Sequence, residues 1–196
     1  MPAFFHETEV IHVLEPSLDR PMGYSAVTVL SNELFVLREL TKIHVYNRGD
    51  FTPTRKITVP ALKFPECLVA CRQYNCLYLS DKALGLIFRV ELPTEDAVVI
   101  TNWKVNGRPD GLSITRSKNL LVTVPKARAI KEFTTRGILI KHIQLDASMK
   151  NPKQAVQLFS GDYVIGHAGG QQHRVCIVDA DGNVKLSYGG PRGIGP

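Results

Sequence analysis

Short apolar runs recur along this chain, and polar or turn-forming residues separate them. The runs are rich in β-branched and aromatic residues and end at Gly, Asn or Asp, which is typical of β-strands joined by tight turns. No segment keeps the i, i+3, i+4 apolar spacing of an amphipathic helix. At most one helical turn is expected, within residues 145–154. The pattern therefore predicts an all-β fold.

The apolar runs and the prolines repeat with one common period. Four apolar triplets follow one another every 43 residues: 34–36, 77–79, 120–122 and 163–165. Five prolines follow one another at steps of 44, 44, 43 and 44 residues: Pro21, Pro65, Pro109, Pro152 and Pro196. A period of this length with four strands per repeat is typical of the blades of a β-propeller.

Each repeat divides into four predicted strands. In chain order they are 25–30, 34–38, 43–47 and 55–59; 66–71, 76–80, 86–91 and 97–101; 111–115, 119–124, 130–134 and 138–145; and 154–158, 163–166, 174–179 and 184–188. The prolines then bound four blades at 21–64, 65–108, 109–151 and 152–196. Residues 1–20 are expected to form an extra N-terminal outer strand and a loop.

The later repeats also carry a recognisable motif. The third repeat contains Arg108-Pro-Asp-Gly-Leu-Ser-Ile114 followed by Asn119-Leu-Leu-Val-Thr123, and the fourth contains Val175-Cys-Ile-Val-Asp-Ala-Asp-Gly182. Over about residues 21–196 the chain resembles the NHL-type repeats of six-bladed, TolB-like β-propellers. Six blades of this period need about 260 residues. We therefore expect a partial propeller of four blades plus one outer strand, as an open arc or a fragment of a six-bladed ring.

The net charge of +6 favours acidic partners. In a propeller, the loops between the second and third strands share one rim of the disc with the connections between blades. These loops contain Arg38, Lys42, Lys63, Lys82, Arg108, Lys126, Arg128, Lys150, Lys153 and Arg174. His167 and His173 bracket a Gly/Gln stretch that is expected to be a surface recognition loop. These residues, apart from Lys82, are the candidate binding residues.

The residues give little support to catalysis or metal binding. Cys67, Cys71 and Cys76 lack the second Cys or His pair of a zinc site and are expected to be free thiols, with Cys71 and Cys76 facing each other across a hairpin. The redox state of that pair stays open. In TolB-like hydrolases, carboxylates and Asn surround a metal in the central channel of the propeller. Here the acidic residues expected near that channel are limited to Glu66 and Asp110. No catalytic residue, metal or cofactor is predicted.

The sequence therefore favours a binding module that is not an enzyme, with a protein as its partner. The NHL resemblance implies a substrate-recognition propeller of the kind linked to ubiquitin ligases. One alternative is single-stranded RNA bound at the basic loops, and a less favoured one is a metal-dependent hydrolase. No apolar run approaches the roughly 18 residues of a membrane span, and no signal peptide is recognisable, so we expect a cytoplasmic chain without membrane contact. Self-association through uncovered blade faces is a further expectation.

Overall fold

The computed structural model describes residues 26–92, 98–169 and 172–189. Within these ranges the chain folds into four antiparallel sheets, each built from four strands that follow one another in the sequence. The all-β prediction is confirmed. The predicted N-terminal strand and the glycine-rich end after residue 189 lie outside the described residues.

The strands have the following bounds. Blade 1 contains β1 (Ala26–Leu30), β2 (Glu33–Glu39), β3 (Lys42–Asn47) and β4 (Pro53–Thr58). Blade 2 contains β5 (Pro65–Cys71), β6 (Cys76–Asp81), β7 (Leu86–Glu91) and β8 (Val99–Lys104). Blade 3 contains β9 (Leu112–Ile114), β10 (Leu120–Val124), β11 (Ala129–Phe133) and β12 (Leu139–Gln144). Blade 4 contains β13 (Pro152–Gln157), β14 (Tyr163–Gly169), β15 (Gln172–Val178) and β16 (Val184–Tyr188).

The four sheets are arranged side by side in chain order. The first strand of each blade lies against the first strand of the next: β1 against β5, β5 against β9, and β9 against β13. The fourth strands, β4, β8, β12 and β16, are the most exposed ones. This is the geometry of propeller blades, with the first strands at the inner side. Within the described residues the four blades form an arc, as the sequence predicts.

The hydrophobic core lies between the blades. Since successive side chains of a strand point to opposite faces of its sheet, each blade presents one apolar face to the blade before it and one to the blade after it. Phe35 packs with Leu79 between blades 1 and 2, and Tyr78 packs with Leu120 between blades 2 and 3. Leu121, Ile165 and their neighbours fill the space between blades 3 and 4.

Side-chain hydroxyls form hydrogen bonds between neighbouring blades. The Ser80 hydroxyl donates a hydrogen bond to the Asp110 carbonyl oxygen at 2.7 Å, and the Ser113 hydroxyl donates to the Ala155 carbonyl oxygen at 2.7 Å. Both serines are buried, so these bonds satisfy backbone carbonyls that water does not reach. They connect blade 2 to blade 3 and blade 3 to blade 4.

The helical content differs in place from the sequence expectation. One 3₁₀ turn spans Arg72–Tyr74 in blade 2, and another spans Pro125–Ala127 in blade 3. The single helical turn that the sequence allowed within residues 145–154 does not form: residues 147 and 148 make a turn, and β13 begins at Pro152. The described part of the chain contains no helix with the length and hydropathy of a membrane span.

Candidate functional site

The two classes of loop that the sequence assigns to one rim lie side by side in blade 2. The Lys82 amide, just after β6, donates to the Phe64 carbonyl oxygen of the connection from blade 1 at 3.0 Å. The Arg108 Nε atom, in the connection to blade 3, donates to the Lys82 carbonyl oxygen at 3.2 Å. Loops from successive blades therefore form one continuous surface at this rim.

A buried carboxylate fixes the backbone of this rim. Asp81, the last residue of β6, has no exposed surface. Its Oδ2 atom accepts the amides of Lys63 at 2.6 Å and Phe64 at 3.0 Å, and its Oδ1 atom accepts those of Ala83 at 3.0 Å and Leu84 at 2.9 Å. Four amide donors to one carboxylate hold two separate loops in a single arrangement. Sequence reasoning assigned no role to Asp81.

Charges of alternating sign cross the inner end of the rim. The Lys153 Nζ atom lies 2.8 Å from Asp110 Oδ2, and the Lys82 Nζ atom lies 2.7 Å from Glu66 Oε1 and 3.9 Å from the same Asp110 oxygen. We call these four residues the ion-pair row. Glu66, Asp110 and Lys153 each follow a repeat proline. The repeat therefore places them at one level in blades 2, 3 and 4.

Five other cations of the rim are exposed to solvent, and we call them the basic rim: Lys63, Arg108, Lys126, Arg128 and Lys150. They come from the loops around blades 2 and 3. Phe64, next to Lys63, is 53% exposed. The Arg128 Nη1 atom reaches the Ala147 carbonyl oxygen at 3.5 Å. The pKa of Asp146 is lowered mainly by hydrogen bonds from Ser148, and the charge of Arg128 acts in the same direction.

Other candidate residues lie in strands rather than in loops. Arg38 belongs to β2, Lys42 to β3, Lys153 to β13 and Arg174 to β15. Lys153 is committed to Asp110, so it contributes less free positive charge than the sequence suggested. Polar residues at the end of a strand remain in the sheet when the partner strand continues beside them, because pairing satisfies their backbone groups.

The expected histidine loop is wrong. Strand β14 continues to Gly169 and β15 begins at Gln172, so His167 and His173 lie in strands and pair with Arg174 and Ala168. His167 is buried, and its Nε2 atom lies 3.5 Å from the Cys176 Sγ atom. Burial lowers the pKa of this imidazole. His167 is therefore a core residue of blade 4 and has no part in the rim surface.

The cysteines match the sequence expectation. Cys71 and Cys76 face each other directly across the β5–β6 hairpin, both are buried, and all four cysteines are free thiols. Burial raises the pKa of Cys67 and that of Cys76. Protonated, buried thiols react slowly. Across the described residues no three His, Cys, Asp or Glu side chains are grouped as metal ligands would be.

Comparisons with known proteins identify the fold. No protein-family model matches the chain, and no curated protein matches it. A virginiamycin B lyase from Staphylococcus aureus is similar in structure, with a TM-score of 0.68, 13% identity, and coverage of 89% of this chain and 58% of that one. The Cps50 (Swd1) β-propeller domain of Myceliophteria thermophila is similar with a TM-score of 0.64, 11% identity, and coverage of 84% and 57%.

A third similar structure is the glutaminyl cyclase of Myxococcus xanthus, with a TM-score of 0.58, 13% identity, and coverage of 84% of this chain and 69% of that one. The chain thus spans less than two thirds of the lyase and of the Swd1 domain. Identities this low establish the β-propeller fold, and they transfer no activity because propellers carry many functions.

Proposed function

We propose that this chain is a cytoplasmic, non-catalytic binding module whose basic rim recognises an acidic segment of a protein partner. The observation that carries the proposal is the exposure of five cations on adjoining loops of one rim. Loops on a rigid sheet scaffold are the usual place for recognition in repeat proteins. The NHL resemblance of blades 3 and 4 supports a role in choosing a protein partner.

The rim is suited to binding because its backbone is already ordered. Asp81 holds the loops that carry Lys63 and Lys82, and the ion-pair row joins blades 2, 3 and 4 beneath the exposed cations. A surface that is ordered before binding loses less conformational entropy when a partner arrives. The backbone positions of Lys63 and Arg108 are therefore set without the partner.

The chemistry of the rim favours a partner with acidic and apolar side chains. The basic rim attracts carboxylates over a distance of roughly 10 Å at moderate ionic strength. Phe64 adds an exposed ring beside Lys63, and aromatic residues next to cations are frequent anchors of protein interfaces. An acidic peptide that carries an aliphatic or aromatic residue meets both requirements.

The test measures binding of a fluorescent peptide, rich in Glu and Asp with one Leu, to the chain and to its Lys126→Glu/Arg128→Glu variant. We expect the double variant to weaken binding at least about tenfold, because two attractive charges become repulsive. A matched control is Lys56→Glu/Lys104→Glu, which makes the same charge change at exposed sites on β4 and β8. Equal weakening by both variants, or by neither, would contradict a specific site at the basic rim.

Single-stranded RNA is the second candidate ligand, and the exposed Phe64 ring favours it. Proteins bind single strands by combining cations along the backbone with aromatic rings that stack on bases. The same variants distinguish the two ligands when an unstructured RNA replaces the peptide. RNA binding lost in both Phe64→Ala and Lys126→Glu/Arg128→Glu would assign the rim to RNA. RNA retained by the double variant would exclude this rim.

A further inference from the structure

The outer edge of blade 2 is more regular than the outer edges of the other three blades. Strand β8 pairs with β7 in six consecutive residue pairs, from Leu86 opposite Lys104 to Glu91 opposite Val99. The pairing of β4, β12 and β16 with the strand before them shifts register once, as it does at a β-bulge. Bulges turn an edge strand away from further pairing, and the edge of β8 is not interrupted in this way.

The amino-acid sequence of β8 also leaves its edge open to pairing. Charged residues and prolines protect natural edge strands. β4 begins with Pro53, and charged residues lie inside β4, β12 and β16. From Val99 to Trp103, β8 contains neither a charge nor a proline. Because blades pack face to face, the outer edge of a blade stays exposed in a propeller of any number of blades.

The hydrogen-bond pattern defines which backbone groups of β8 point outward. The Val105 amide donates to the Gly85 carbonyl oxygen at 3.0 Å, just beyond the end of the pairing with β7. Antiparallel pairs alternate between hydrogen-bonded and non-hydrogen-bonded ones. The odd-numbered residues of β8 therefore bond to β7, and the even-numbered residues direct their N–H and C=O groups away from it. The outward-directed residues are Ile100, Asn102 and Lys104.

The two faces of β8 differ in chemistry. Trp103 packs with the core between blades 2 and 3, and Val99, on the same face, is 49% exposed. The Trp103 ring centroid lies 6.4 Å from that of Phe133, and Leu139, which pairs with Phe133, is 50% exposed. Lys104 lies on the opposite face of β8 and is exposed. A strand added beside β8 therefore meets one apolar side and one polar side.

We propose that the outer edge of β8 binds an extended segment of a partner protein as an antiparallel fifth strand of blade 2. The segment alternates polar and apolar residues. Its polar residues lie opposite Ile100, Asn102 and Lys104 and exchange backbone hydrogen bonds with them. Its apolar residues lie on the side of Val99 and Trp103. Backbone hydrogen bonds supply the affinity in this mode of recognition, and the alternating side chains supply the specificity.

Charge complementarity defines the polar side of the partner segment. An acidic residue directly opposite the exposed Lys104 forms a favourable cross-strand pair. A second copy of this chain is less suited, because each copy has a net charge of +6. The site uses no residue of the basic rim. It takes a strand-forming segment, whereas a peptide rich in Glu and Asp has low strand propensity.

Fluorescence of Trp103 tests the proposal, because Trp103 is the single tryptophan of the 196-residue chain. The probe is a short peptide, blocked at both ends, that alternates Val with Thr and contains one Glu in place of a Thr. A Val opposite Trp103 occupies a non-hydrogen-bonded pair, where side chains come closest. Titration with the peptide should shift the emission to shorter wavelength and saturate below about 1 mM.

Methylation of the peptide amides tests the binding mode without any change to the protein. Methyl groups on the Thr and Glu amides remove the donors that face β8 and should abolish the fluorescence change. Methyl groups on the Val amides point away from β8 and should leave the affinity unchanged within about threefold. Equal binding of the two methylated peptides would overturn strand addition.

Asn102→Pro removes one outward N–H group of β8 and no hydrogen bond to β7. Proline is tolerated at such edge positions, and peptide binding should weaken at least about tenfold, because a donor is lost. His142→Pro on β12 is the matched control. The Leu145 amide donates to the Arg128 carbonyl oxygen, so by the same alternation the His142 N–H also points outward. This variant should bind the peptide as the wild type does.

Three results would contradict the proposal. One is an unchanged Trp103 emission up to about 1 mM peptide, and another is equal weakening by Asn102→Pro and His142→Pro. The third is self-association of the wild type that Asn102→Pro abolishes, which would assign the edge to a second copy of the chain. The methylated peptides carry the test if a proline variant fails to fold.

Discussion

At the scale of single residues, the molecule depends on buried polar groups such as Asp81 and Asp110. Asp81 ends a buried strand and binds four amides of two loops. Asp110 binds Lys153, which is 43 residues away in the sequence. Alignment of the repeats at their prolines places these two residues in adjacent blades at the same level. That alignment was the signal that could have predicted the ion-pair row.

Replacement of Asp81 by Ala should destabilise the fold strongly. Four buried amides lose their acceptor, and each buried unsatisfied donor costs about 1–3 kcal/mol before relaxation and entry of water. We expect a loss of at least about 3 kcal/mol in the free energy of unfolding, measured by urea denaturation. Asp50→Ala is the control, because its carboxylate accepts bonds from Thr52 in an exposed turn. A loss below about 1 kcal/mol for Asp81→Ala would contradict the anchoring role.

His167 makes stability depend on pH. Burial lowers its pKa in the folded state; the Lys150 backbone acts in the opposite direction, and Arg174 lowers it further. The unfolded chain, with a pKa near the ordinary value of about 6.5, then binds the proton more readily than the folded chain. Stability should therefore fall as pH decreases from 6.5 towards the folded pKa, with a slope of at most about 1.4 kcal/mol per pH unit.

The variant His167→Leu isolates this contribution. Urea denaturation between about pH 7.5 and 5 should show a shallower loss of stability in the variant than in the wild type, because the variant has no imidazole to protonate at this position. Identical pH profiles for the two proteins would show that the protonation of His167 is not linked to folding.

At the scale of elements, the period and the turn residues predict most strands to within about two residues. β7 and β16 have the predicted bounds. The second hairpin of blade 4 was missed because its residues, with Gly, Gln and His, have low intrinsic strand preference. In this hairpin, pairing determines the strand bounds, because β15 forms backbone hydrogen bonds with β14 as far as Gly169.

Two glycines in turns of blade 4 have the same φ, but only one of them lies close to another blade. Substituting each by Ala therefore distinguishes the cost of backbone strain from the cost of a steric clash. Gly161 and Gly182 both have φ of +92°, but a Cβ at Gly161 meets no atom within 4 Å, whereas a Cβ at Gly182 lies 2.0 Å from the Gln144 carbonyl oxygen of blade 3. Gly161→Ala should cost about 1–2 kcal/mol for the left-handed backbone alone. Gly182→Ala should cost about 2 kcal/mol more, because a backbone must move.

Thermal or urea unfolding of both variants measures that difference. The two substitutions are chemically identical and occur at the same φ, so Gly161→Ala controls for strain. Equal losses of stability in the two variants would show that blade 3 does not press on the Gly182 turn in solution.

At the scale of the whole molecule, the arrangement of the blades follows from the repeat period of the sequence. The 43-residue period marks the four blades of the described residues, and the alternation of apolar residues directs each blade's faces towards its neighbours. The function does not follow in the same way, because the rim residues vary independently of the period. The three-dimensional structure distinguishes exposed cations such as Lys126 and Lys150 from Lys153, which pairs with Asp110. The sequence alone does not make this distinction.

Small-angle X-ray scattering of the dilute, monomeric chain tests the open arc of four blades most directly. We expect an asymmetric pair-distance distribution with a long tail, because in the described residues the inner strand of each blade packs against the inner strand of the next. A symmetric distribution, typical of a compact globule or of a closed disc, would contradict it.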